Sequence, residues 1–111
     1  MAVYANLTVD QGSDFSSTIT VEDVNGNVTN LSGYTARGQV RRTYNSVTSF
    51  SLTATIASAG AGQIGISMDA TTTGSMKPGR YVYDVEMISS GGVVTRVVEG
   101  QIEVMPRVTR P

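Results

Sequence analysis

Apolar and polar residues alternate one for one along most of this chain, in short runs separated by turn-forming residues. In Phe15-Ser16-Ser17-Thr18-Ile19-Thr20-Val21 the period is two, which places successive side chains on opposite faces of a strand. The same alternation sets Val3, Ala5, Leu7 and Val9 on one face, then Tyr34, Ala36, Gly38 and Val40. Further runs are Phe50, Leu52, Ala54 and Ile56, then Ile64, Ile66 and Met68, then Tyr81, Tyr83, Val85 and Met87. Between the runs stand Gln11-Gly12-Ser13-Asp14, Ser58-Ala59-Gly60-Ala61-Gly62 and Ser89-Ser90-Gly91-Gly92, all rich in turn formers. Val24-Asn25-Gly26-Asn27-Val28 predicts a type I′ hairpin that would give the Phe15 run its partner strand. Asp69 to Lys77 has room for one helical turn, ended by Pro78-Gly79. Seven or eight short strands at this spacing predict an all-β fold, an antiparallel immunoglobulin-like sandwich.

A length of 111 residues supports one domain, 1–111, with short arms over about 1–3 and 105–111. Two Phe and no Trp leave the core to aliphatic side chains and tyrosine. Net charge is −1, with a single Lys, so no basic field exists to hold nucleic acid or an anionic membrane. No apolar run approaches the roughly 20 residues that span a bilayer, and Met1-Ala2-Val3-Tyr4 lacks the pattern of a signal peptide; synthesis in a cytoplasm is expected. Cysteine and histidine are both absent. That removes Ser-His-Asp and Cys-His nucleophile systems and thiolate or imidazole zinc sites. No cofactor, metal or catalytic residue is expected.

Carboxylates remain, and Gly79-Arg80-Tyr81-Val82-Tyr83-Asp84-Val85-Glu86-Met87 places two of them two residues apart. Alternation puts Asp84 and Glu86 on the outer face with Val82 and Ile88, about 7 Å from each other. A glycosidase pair has such a separation, but it also needs a cleft and one carboxyl of raised pKa. A flat sheet face offers neither, so the pair reads as a solvated face. A turn at Ser90-Gly91 would set Tyr83 opposite Val98, Tyr81 opposite Gly100 and Asp84 opposite Val97. Tyr81, just after Pro78-Gly79, fits either a tyrosine corner with its ring over Gly100 or a plain core residue.

Other groups each have a plain structural explanation beside a functional one. Glu22-Asp23-Val24-Asn25-Gly26-Asn27 alternates oxygen ligands as calcium loops do, yet its glycine is one place early and the segment already reads as a turn. Arg37, Arg41 and Arg42, with Tyr44 close behind, suit either cross-sheet pairing or a grip on a partner. Val93-Val94-Thr95-Arg96-Val97-Val98 is apolar on both faces, and the register above puts Val93 and Val97 beside Val82 and Ile88 as an outer patch for another chain. Val104-Met105-Pro106-Arg107-Val108-Thr109-Arg110-Pro111 reads as an extended arm, its Arg107 and Arg110 available to a neighbouring subunit.

The ordered set "FSSTITVEDVNGNVTNLSGYTARGQVR", "GQIGISM", "MKPGRYVYDVEM" and "GGVVTRVVEGQIEVMPRVTR" resembles small β-sandwich proteins and domains of tailed-phage virions. It is similar to the amino-terminal domain of baseplate upper proteins and to small structural proteins of T4-like cyanophages. The likeness runs from about Phe15 to Thr109, most specifically at Leu31-Ser32-Gly33-Tyr34-Thr35-Ala36, Pro78 to Asp84, and Glu99-Gly100 leading into Val104-Met105-Pro106. It implies a non-enzymatic assembly role in the virion, with other virion proteins as partners and a homo-oligomer or symmetric array. Baseplate upper proteins continue into receptor-binding regions beyond such a domain, so the expectation is an accessory tail, neck or baseplate subunit. A capsid decoration protein is the alternative within that class, and a carbohydrate-binding module, with Tyr4 and Tyr44 as stacking platforms, is the alternative outside it.

Overall fold

The computed structural model describes residues 3–23 and 25–109. They form β1 (Val3–Tyr4), β2 (Leu7–Asp10), β3 (Phe15–Thr20), β4 (Thr35–Arg41), β5 (Phe50–Ser58), β6 (Gln63–Met68), α1 (Ala70–Ser75), β7 (Gly79–Ile88) and β8 (Val94–Met105). The strands pair in the order β1-β8-β7-β4-β5-β6-β3, with β2 continuing β1 along β8. β5 belongs to both layers: Phe50 and Leu52 pair with Val40 and Gly38 of β4, and Thr53 to Ser58 pair with β6. The result is an all-β sandwich. Its core is the inward set of the alternation, with Val9, Val40, Leu52, Ile64, Ile66, Val85, Ile102 and Val104 all buried.

The sheet is mixed, which corrects the purely antiparallel expectation. β1 and β2 run parallel to β8, with Val3 opposite Val98 and Leu7 opposite Ile102. A period of two fits a strand in either direction, so alternation carries no information on sense. The run from Val3 to Val9 is also broken, at Ala5-Asn6, where the Asn6 side chain accepts a 3.1 Å bond from the Gln101 N–H.

The Asn25-Gly26 turn differs from the expected type. Gly26 has φ 83°, but among the described residues no other residue type has positive φ, whereas type I′ requires it at two positions. The Asp23 carboxylate instead accepts from the N–H of Asn25 (2.8 Å) and of Asn27 (3.1 Å). Backbone bonds close the turn as well, from the Gly26 N–H to the Asp23 carbonyl (3.0 Å) and from the Asp23 N–H to the Asn27 carbonyl (2.8 Å), so the side chain adds to a backbone closure. Only an isolated Glu22–Val28 bridge follows, and β3 takes β6 as its partner. Val24 lies outside the described residues.

The helical turn expected after Asp69 is α1. Asp69 caps it by accepting from the Thr72 N–H at 2.8 Å, and the buried Thr73 hydroxyl donates to the Ser13 carbonyl at 2.8 Å. Tyr81 is a tyrosine corner, its hydroxyl donating to the Lys77 carbonyl at 2.7 Å. Its ring meets Phe50 edge-on at 5.9 Å and carries the Arg42 guanidinium at 4.8 Å. It lies opposite Ile102, and Tyr83 is the residue opposite Gly100.

That difference comes from the β7–β8 hairpin, whose expected register is corrected in two steps. Gly92, at φ 88°, extends the Ser90-Gly91 turn to a three-residue loop closed between Ser89 and Val93. A bulge then places Val85 opposite Val98 but Glu86 opposite Arg96, leaving Val97 as the extra residue. Val97 and Val98 consequently both point inward. Val97 is 7% exposed and part of the core, which overturns its assignment to the outer patch.

Candidate functional site

The outer faces of β4, β7 and β8 form one continuous surface, and pairing brings its charged residues together. Arg37 lies opposite Glu86, Gln39 opposite Asp84, and Asp84 opposite Glu99. The surface is concave rather than flat, with a cavity of about 510 Å³ lined by Arg37, Gln39, Arg41, Tyr44, Val82, Asp84, Glu86, Arg96 and Glu99. Bulges bend and twist the strand that carries them, and here the bulge sits beside Arg96 on β8. The turn after β4 raises one wall: Arg41 donates to the Ser46 carbonyl at 2.7 Å and to the Gln39 side chain at 3.0 Å. Tyr44, 76% exposed, stands on that wall.

The charges inside the concavity largely answer one another. Arg37 holds Glu86 at 2.8 Å, and Arg96 reaches both Asp84 (3.3 Å) and Glu99 (3.4 Å). Asp84 and Glu99 are like charges directly across a strand pair, a destabilising arrangement that the shared arginine offsets. Burial pushes the Asp84 carboxyl above the usual carboxylate value; Arg96 and Arg41 draw it down, while Glu86 and Glu99 push it further up. Arg41 differs from the other two arginines in being held by a backbone carbonyl and an amide. Among the described residues no set of three or more acidic side chains is placed to hold a metal ion.

Of the residues singled out from sequence, Arg37, Arg41, Tyr44 and Val82 meet in this concavity. Ile88 and Val93 lie apart from it at the hairpin end of β7, where Val93 is 65% exposed beside the exposed Val94. Arg107 is at the opposite end of the domain: its N–H donates to the Gln11 side chain and its guanidinium covers Gly12 and Gly74. The carboxy-terminal segment is therefore docked on its own domain through Arg107, and Arg110 lies outside the described residues. Val97, being buried, presents nothing to a partner. Sequence reasoning missed Gln39, Arg96 and Glu99 as members of the site. The signal for the latter two was the hairpin register, which the three-residue loop and the bulge concealed.

The Asp84–Glu86 pair sits in a cleft with one carboxyl of raised pKa, so two of the features that a flat face would have denied it are present. Both carboxylates are nevertheless engaged by arginine. No helix among the described residues is long and apolar enough to cross a membrane.

No family model matches the chain, and no curated protein does. Among solved structures it is similar to an internalin-like protein of Listeria monocytogenes, with 18% identity, a TM-score of 0.46, and coverage of 94% of this chain and 28% of that one. It is also similar to a family 123 glycoside hydrolase from Clostridium perfringens, with 12% identity, a TM-score of 0.44, and coverage of 96% and 24%. The chain thus spans about a quarter of the length of these structures. Likeness at this level carries no argument about what the chain binds or does.

Proposed function

We propose that this chain is a non-enzymatic structural subunit of a tailed-phage virion, an accessory tail, neck or baseplate component that docks on other virion chains. The virion class rests on the sequence resemblance. The observation that carries the docking role is the outer face of β4, β7 and β8, which holds a concave, ion-paired surface and, apart from it at the hairpin end, the exposed Val93 and Val94. A polar surface with matched charges, together with exposed valines elsewhere on the same strands, suits a protein partner, because matched charges set register while apolar area supplies affinity. Carboxylates already held by arginine suit acid–base chemistry poorly, which favours a non-catalytic role.

Quantitative mass spectrometry of separated heads and tails, from particles of the phage that encodes the chain, tests the proposal. A few to a few dozen copies with tails is the expected result. Hundreds of copies with heads would make it a capsid decoration protein, and absence from both would overturn the virion reading. One observation favours a second reading, a carbohydrate-binding module: Tyr44 stands exposed on the wall of a cavity lined by Gln39, Arg41 and Asp84, planar polar groups that can bond sugar hydroxyls. Glycan-array binding that is lost in Tyr44→Ala would establish it.

A further inference from the structure

The two ends of the strand order are finished differently. At one end β1 and β2 are short and broken at Ala5-Asn6, and Asp10 closes β2, devices that keep an edge from pairing with another chain. At the other end β3 is an unbroken six-residue strand, Phe-Ser-Ser-Thr-Ile-Thr, without charge, proline or bulge. Its one sheet neighbour among the described residues is β6. The Val21 N–H donates to Gly62 on that side, at 2.7 Å. Since antiparallel ladders alternate, the N–H and C=O of Ser16, Thr18 and Thr20 are turned away from β6.

Burial marks the same edge as uncovered. In β6 the inward Ile64, Ile66 and Met68 are buried, whereas the inward Phe15, Ser17 and Ile19 of β3 are only half-buried. The outer face beside this edge is free of charge, with Thr18, Gly65 and Thr55 in one cross-strand row and Ser16, Ser67 and Thr53 in the next. The arginines and carboxylates of the concavity all lie on the other layer.

We infer that β3 pairs antiparallel with β3 of a second copy of this chain, on a two-fold axis through Thr18, so that the sheet continues from β6 through both β3 strands to the partner's β6. The outward backbone groups fix the register. Thr18 lies opposite the partner's Thr18 and Ser16 opposite the partner's Thr20, hydroxyl pairs that are favourable across strands. On the inner side Ser17 meets the partner's Ile19 and Phe15 meets the partner's Val21, which covers the half-exposed apolar groups. No charged residue falls between Phe15 and Val21; the first like charges that the two-fold axis sets opposite each other, Asp14 and the partner's Glu22, lie just beyond the paired stretch, exposed to solvent. The inference does not rest on the virion proposal.

Sedimentation equilibrium on the whole chain tests it, over a concentration series reaching roughly millimolar, the upper limit of a weak specific association. The expected result is a monomer–dimer equilibrium that Thr18→Lys and Thr18→Glu each weaken by at least about tenfold, since each sets like charges opposite each other. Mixing the two variants restores dimers, an outcome that damage to the fold would not produce. Both variants keep the wild-type melting temperature because the side chain is exposed. As a second readout, the Thr18 amide exchanges more slowly as wild-type concentration rises. A wild-type monomer throughout, a dimer indifferent to both substitutions, or a failure of the mixture to re-form dimers would each overturn the inference.

Discussion

The phenol of Tyr83 donates a 2.6 Å hydrogen bond to the carbonyl of Ala5, a residue 78 positions away in the chain. Ala5 sits at the break between β1 and β2, where its carbonyl leaves the regular ladder, while its N–H bonds to the Glu99 carbonyl at 2.8 Å. Burial pushes the Tyr83 phenol up to about 12, with Tyr4 adding to the shift. The neutral donor form is therefore favoured by folding, a stabilisation fully present below pH 10 and lost as pH rises toward 12. Tyr83→Phe should cost about 1 kcal/mol, the net contribution of a hydrogen bond whose acceptor is only half-buried. Amide exchange should show the loss concentrated in β1 and β2; an unchanged melting temperature would mean the bond contributes nothing.

Gly100 makes that bond possible. A Cβ there would run into the backbone of Ala5, its carbonyl oxygen first and its carbonyl carbon at 2.8 Å. Backbone atoms cannot rotate away as a side chain does, so Gly100→Ala should cost about 3 kcal/mol, the upper end for overpacking. Thermal melts check the size. Combining Gly100→Ala with Tyr83→Phe should cost less than the sum, because the first substitution already displaces the carbonyl that the second leaves unpaired.

Val97 and Val93, four residues apart around the bulge, separate core from surface. Val97→Asp places a carboxylate in the core and should destabilise by about 3–5 kcal/mol, as other unpaired buried charges do. Val93→Asp, at an exposed site, should stay within about 0.5 kcal/mol of wild type. It is therefore the substitution that probes docking in particles without unfolding the domain. Equal melting temperatures for the two variants would contradict the bulge.

The parts of this fold legible in the sequence were those a local pattern encodes. Alternation located the inward residues of β3 to β7, Asp69 marked the start of α1, which ends at Ser75 before Pro78 is reached, and Tyr81 offered the corner it forms. What escaped was set by non-local geometry. The parallel sense of β1 and β2 depends on where the first residues meet β8, and the bulge at Val97 depends on how β8 bends across β7. The candidate site suffered for the same reason: Arg37, Arg41 and Tyr44 were visible as a cluster, but Arg96 and Glu99 join them only once the register is known. Two adjacent valines, Val97 and Val98, were the one local hint that the alternation slips there.

Two carboxylates should give opposite pH responses. Asp84 binds its proton more tightly in the folded than in the unfolded chain, because burial and the acids Glu86 and Glu99 outweigh Arg96 and Arg41. The stability this contributes is fully present below the ordinary value of 3.8 and is lost as pH rises through the raised value. Asp84→Asn should therefore match wild type in acid and melt higher at neutral pH. Asp69 is the reverse case, since its bonds to Thr72 hold the carboxyl below 3.8. Its contribution is present above 3.8 and lost as pH falls through the lowered value, so Asp69→Ala should melt below wild type at neutral pH, with a deficit that shrinks on acidification. Thermal melts of both variants across pH 2–8 decide the matter. A neutral-pH deficit in Asp84→Asn would mean that its pairing with Arg96 outweighs burial, and that the concavity is held together by its charges rather than strained by them.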